Sequence, residues 1–202
     1  MGCALRQIDP EVLYHTVSKG NNGGPIARDA DDRTSIRSEL AAAATRYRWR
    51  VLAWCILGTH YHVVMQAPEG GFSEGFREIN GNHSRRTNRR HLQVDHLFKN
   101  RPFAVEIQSE AHLVAASLYV ARNPVAARLC EDAAAWAHSS YRATVGLEPA
   151  PPWLAVDRVL GMFGRTPEEA RLEFARLVRN GHLPVSDTDE PPAQSLAGLR
   201  SE

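Results

Sequence analysis

Residues 50–66, RVLAWCILGTHYHVVMQ, decide how this chain folds. Arg50 to Leu57 is an apolar run of strand length, Gly58 and Thr59 turn the chain, and His60 to Gln66 follows as a second strand antiparallel to the first. Side chains alternate along a strand, so His60 and His62 project to one face and Tyr61 to the other. Two neutral imidazoles on a rigid strand begin a divalent-metal site. Taken alone, such a pair is more often two core or edge histidines with hydrogen-bond partners. Residues elsewhere have to choose between these readings.

On the N-terminal side, Val12 to Ser18 (VLYHTVS) is β-branched and aromatic and runs into KGNNGGP, which predicts a strand followed by a loop. Acids at the start, an alanine run and basic residues at the end predict a helix from about Asp31 to Tyr47. On the C-terminal side, APEGG ends the histidine strand and Phe72 to about Arg90 reads as a second helix. A fourth strand is expected at about Phe103 to Gln108. Ser109 then caps a helix, AHLVAASLYVAR, that should stop near Asn123-Pro124. The order β, α, β, β, α, β defines an α+β chain of the split βαβ, or ferredoxin-like, arrangement: an antiparallel sheet with helices on one face, plus a C-terminal helical extension. His15 lies on the first strand, where its parity allows either face.

At 202 residues the chain suits one domain with a short extension. We expect a domain over 1–146, a helical extension over 147–184 that includes TPEEARLEFARLVRN, and a disordered tail over 185–202. Cys3, Cys55 and Cys130 are odd in number and contain no CxxC pair, which argues against a disulfide framework or a cysteine zinc site. No apolar stretch is long enough to span a bilayer, and the N-terminus has no apolar secretory core, so a cytoplasmic protein with no membrane partner is expected. MGCALR has Arg6 where a myristoylation signal requires Ser or Thr. HLQVD at 91–95 matches an HxxxD acyltransferase pattern that nothing else in the chain supports.

Several stretches in this order resemble the REP-associated tyrosine transposases, relatives of single-tyrosine insertion-sequence transposases in the HUH superfamily. They are YHTVSKGNN (14–22), WRVLAWCILGTHYHVVMQAPEG (49–70), HLFKNRPFAVEI (96–107), LYVARNPVAARL (118–129), WAHSSYRATVG (136–146) and PPWLAVDRVLGMFG (151–164). The resemblance implies that His60 and His62 bind a divalent metal, Mg2+ or Mn2+, and that Asn123 completes the site. It also implies that Tyr119, four residues before Asn123, is the nucleophile. Residues i and i+4 share a helical face, so the two can reach one site. The family usually has Pro-Asn before its first histidine, and this chain has Gly58-Thr59.

A phenol with a pKa of ~10 is a poor nucleophile at neutral pH. A metal on two imidazoles and an amide would polarise the scissile phosphate and neutralise charge on the leaving oxygen. The resemblance thus implies nicking and strand transfer on single-stranded DNA, folded as hairpins, through a 5′-phosphotyrosine, by a monomer or homodimer. The alternative is a DNA-hairpin-binding protein that keeps the fold without cleaving. From Arg77 to Arg101 there are seven Lys or Arg against two acids. Arg85, Arg86, Arg89 and Arg90 fall at helical spacing that can form one positive stripe, with Lys99 and Arg101 beyond it, a pattern suited to phosphate contacts. Trp54 and Phe98 are candidates either for base stacking or for the core.

Overall fold

The computed structural model of the protein describes residues 9–181. Strands β1 (Leu13–Lys19), β2 (Arg50–Ile56), β3 (His60–Gln66) and β4 (Phe103–Ile107) form one antiparallel sheet in the order β2-β3-β1-β4. Two long helices, α1 (Ala30–Arg46) and α2 (Phe72–His91), make the crossovers that this ferredoxin-like order requires. A third, α3 (Glu110–Ala126), follows β4, and α4 (Tyr141–Thr144), α5 (Val156–Leu160) and α6 (Pro167–Asn180) complete the described chain.

Strand alternation sorts the helices. Tyr61 Oη donates to Asn80 Oδ1 of α2 at 2.8 Å, whereas His62 meets Asn123 of α3. The pair expected on one face is therefore α1 and α2, and α3 covers the opposite face. Trp54, Tyr61, Phe76, Ile36 and Leu40 are fully buried in the core. Burying each such side chain contributes about 1.5–3 kcal/mol relative to leaving it in water.

Local signals start and stop the helices. The Asp29 side chain accepts from Asp32 N to cap α1, with Asp31 and Asp32 in its first turn. Thr166 and Glu169 form a reciprocal capping box on α6, with Pro167 at its first position. In α3 the helix does not stop at Pro124. Its ring forgoes the bond to the Val120 carbonyl, but proline's fixed φ is compatible with a helix, and Ala127 N still donates to Asn123 O.

The outer edge of β2 is covered by later chain. Ile56 N donates to His138 O, Ser140 N to Trp54 O, and Ala155 N to Val51 O, each at 2.8–2.9 Å. A bare edge would otherwise present unpaired backbone groups. Phe174 of α6 packs with Tyr141 and Phe163, so α6 shares in the core. The expected tail at 185–202, the N-terminal MGCALR and Cys3 lie outside the described residues.

Asp32 fastens α1 to α2. Its buried carboxylate accepts from Arg28 N at 3.0 Å and Arg90 Nη1 at 2.7 Å, and its other contact is His91 Nε2 at 2.9 Å. Burial pushes its pKa up, but the Arg28 amide, His91 and Arg90 together outweigh that and hold it below the ordinary carboxylate range. His91 is thus committed to Asp32, away from any HxxxD chemistry with Asp95. Asp32→Ala should lower the unfolding free energy by about 2 kcal/mol in denaturant titrations. Arg48→Ala, which breaks an exposed pair with Glu69, should cost less than about 1 kcal/mol. Because the folded-state pKa of Asp32 is depressed, its contribution is present above the unfolded carboxylate pKa and is lost as pH falls through the folded one; Asp32→Asn should flatten that acid limb.

Candidate active site

The β1–β3 register sets the site. Lys19 is opposite His60, Val17 opposite His62 and His15 opposite Val64, so Lys19, His15, His60 and His62 share the face that α3 covers. This resolves the parity of His15. The rings of His60 and His62 lie 4.9 Å apart between centroids. Above them Tyr119 stands edge-on to His62 at 5.5 Å and to His15 at 5.9 Å. One turn along α3, Asn123 Nδ2 lies 3.4 Å from His62 Nε2.

Each strand histidine has its Nδ1 engaged. His60 Nδ1 lies 3.0 Å from Thr59 Oγ1, and His62 Nδ1 lies 2.9 Å from His15 Nε2. Gly58 and Thr59 tie the turn to the loop after β1, since Ile26 N and Ala27 N donate to Gly58 O and Gly20 N donates to Thr59 O. Where the resemblance would place Pro-Asn, this chain has Thr59, whose hydroxyl reaches His60.

Burial, assisted by Lys19, pushes the His60 pKa down to about 4. Burial first, then His15, His60 and Lys19, hold His62 well below the ordinary imidazole value. Neutral imidazoles beside a carboxamide are a donor set of the kind that could hold a divalent ion, through His60 Nε2, His62 Nε2 and the Asn123 amide. Burial raises the Tyr119 phenol, while a hydrogen bond from the Asn123 side chain lowers it, and the net direction is upward. Tyr14, Tyr47 and Tyr61 hydrogen-bond elsewhere through Asp9, Glu78 and Asn80, and Tyr141 packs on Phe174. Tyr119 is the tyrosine brought against the histidines.

Lys19 is the residue that sequence reading missed. It ends β1 beside His60, and the Lys99 amide donates to its carbonyl at 3.0 Å. Burial and the Lys99 charge lower its pKa. Its signal was the strand period, which became readable only once the register was known.

The arginines do not form one stripe. Arg90 is held by Asp29, Asp31 and Asp32 at 2.8, 3.3 and 2.7 Å. Arg86 lies beside Asp31, Ser35 and Glu39 on the α1 side of α2. Arg85, which contacts Asn82, lines a groove of about 1070 Å³ on the other flank with Arg77, Arg101, Phe98 and Phe103. Arg89 is exposed between these flanks. The acids of α1 divide the stripe because opposite charges on the adjacent helix draw in the side chains nearest them. Asp29, Asp32 and His91 also place potential metal-ligand atoms within 4.8 Å of one another, but Arg90 sits among them. Trp54 is buried against Trp153, and Phe98 packs on Tyr61 and His83.

No protein-family model matches the sequence. No curated protein matches it either. Among solved structures, the chain is similar to the REP-associated tyrosine transposase bound to a REP hairpin, with TM-score 0.59 and 21% identity over 74% of this chain and 89% of that one. The tRNA(His) guanylyltransferase from Saccharomyces cerevisiae overlaps at TM-score 0.47 and 8% identity over 93% of this chain and 84% of that one, below the level at which a shared fold follows. The fold is that of a REP-associated tyrosine transposase. Among the described residues no helix is long and apolar enough to cross a membrane.

His15 and His60, both pushed down to about 4, should stay neutral from pH 8 to pH 5 and titrate near pH 4 in an NMR pH series. With folded-state values below the unfolded ~6.5, these histidines favour the folded state fully above pH ~6.5. That contribution should shrink as pH falls toward 4, visible as a declining melting temperature.

Proposed function

We propose that this protein is a metal-dependent enzyme that nicks and transfers single-stranded DNA carried on hairpins, with Tyr119 as nucleophile. The observation that carries this reading is the meeting of Tyr119 with His62 at 5.5 Å, with Asn123 one turn away on the same helix. The fold shared with a transposase bound to a REP hairpin supports the choice of substrate class.

His60, His62 and Asn123 would hold Mg2+ or Mn2+, which supplies Lewis-acid polarisation of the scissile phosphate. Tyr119 Oη attacks phosphorus as its phenolic proton passes to water. The P–O3′ bond breaks, the leaving oxygen takes a proton to become a 3′-hydroxyl, and the 5′-phosphate remains on the tyrosine. Attack by a 3′-hydroxyl on the phosphotyrosine reverses the exchange without ATP, because the new ester conserves the phosphodiester bond. Asn123 orients the phenol by its hydrogen bond and lowers its pKa against the effect of burial. Lys19 and Lys99, at the end of β1 beside His60, attract the backbone phosphates next to the cut. Arg85, Arg86, Arg89 and Arg101 extend the positive surface to the α2 face, and Arg90 contributes mainly by holding α1 to α2.

A second reading, a hairpin binder that no longer cleaves, draws on the half-buried Tyr119 phenol and its raised pKa. A denaturing gel of the protein incubated with labelled hairpin DNA and Mn2+ separates the two. We expect a covalent, protease-sensitive band that Tyr119→Phe abolishes, with hairpin binding retained within a few fold. Tight binding by the unaltered protein without any covalent band would favour the second reading. The paired change His60→Ala, His62→Ala should remove metal-dependent cleavage. Replacing Arg85, Arg86 and Arg89 with Ala should reduce the slope of log affinity against log salt by about 0.7–0.9 for each phosphate that these side chains neutralise.

A further inference from the structure

His15 is 1% exposed, and its Nδ1 has no hydrogen-bond partner among the described residues. Its hydrogen-bonding contact is Nε2 to His62 Nδ1 at 2.9 Å. A buried histidine serving only to fill the core would normally have its polar atoms satisfied. Here one ring nitrogen is directed at His62 and the other remains unpaired, an arrangement that leaves His62 as the group His15 serves.

The direction of that bond follows from the other side of His62. There Nε2 is the atom offered to the metal, with the Asn123 side chain 3.4 Å away, so it must keep its lone pair and the proton resides on Nδ1. His62 Nδ1–H therefore donates to His15 Nε2, and His15 in turn carries its proton on Nδ1. We propose that His15 is a positioning residue that locks His62 in the Nδ1–H tautomer, keeping its Nε2 lone pair directed at the metal position between β3 and α3. Thr59 Oγ1 stands to His60 Nδ1 as His15 stands to His62, with the difference that a hydroxyl rotates to give or take a proton while His15 is constrained by burial. A ligand imidazole is commonly oriented by a partner on its far nitrogen, and loss of such a partner costs about 10–100-fold in metal affinity.

The inference rests on the metal reading of His60, His62 and Asn123, and two measurements on the full chain keep the two separable. The first uses no metal: long-range nitrogen–proton NMR of the wild-type imidazoles. We expect His62 and His15 both as Nδ1–H tautomers, with His62 turning to Nε2–H in His15→Phe and remaining Nδ1–H in His15→Gln, whose side-chain oxygen accepts in place of the ring. Wild-type His62 found as Nε2–H overturns the proposal, even if neither variant folds.

The second measurement titrates Mn2+ and follows the free-ion electron paramagnetic resonance signal. We expect His15→Phe to bind Mn2+ about 10–100-fold more weakly than wild type, and His15→Gln to bind within a few fold of it. Unchanged affinity in His15→Phe, or equal weakening in both variants, overturns the positioning role. If the wild type binds no Mn2+ while His62 shows the expected tautomer, the metal reading fails and the proposed purpose of the lock fails with it.

Discussion

The antiparallel pairing of β1 with β3 governs the rest of this molecule. Its register puts Lys19 opposite His60 and Val17 opposite His62, which brings His15 within 2.9 Å of His62 across the strands. A slip of one residue would turn every side chain of one strand to the other face. His60 and His62 would then lie under α1 and α2, and Tyr61 would lose Asn80 as its partner. Both faces of β3 are buried, so such a slip would leave its polar side chains buried without their partners. The proposed catalytic arrangement is therefore held by the packing of the core.

Because α3 lies across the face opposite the crossover helices, the site sits between layers, with His15 and His62 buried and His60 half-buried. Burial keeps them neutral, the form in which imidazole has a lone pair to offer. The same burial raises the Tyr119 phenol, so one environment favours metal ligation and discourages spontaneous ionisation of the nucleophile. In the proposed reaction, this couples cutting to the arrival of metal and phosphate.

Charge is organised at two places. On the crossover face, Asp32 and its neighbours draw Arg90 into a clamp between helices, while Arg85 lines a groove on the other flank of α2. At the end of β1, burial and the nearby Lys99 charge depress the Lys19 pKa, and the two lysines concentrate positive charge beside His60. A nearly neutral chain thus presents positive surface where the proposed substrate would run.

Much of this architecture was legible along the chain. The strand periods, the Gly58-Thr59 turn and the helix starts at Ser109 and Thr166 are local signals, read from residues a few positions apart. The i and i+4 relation of Tyr119 to Asn123 is likewise local, since helix geometry alone places them on one face. The face taken by His15, the proximity of Lys19 to His60, the capture of Arg90 by the α1 acids and the burial of Trp54 are pairings between distant residues. Sequence periodicity orients a side chain relative to its own element only. Which element it meets is settled when strands choose a register and helices choose a face, by the burial of apolar surface across the whole core.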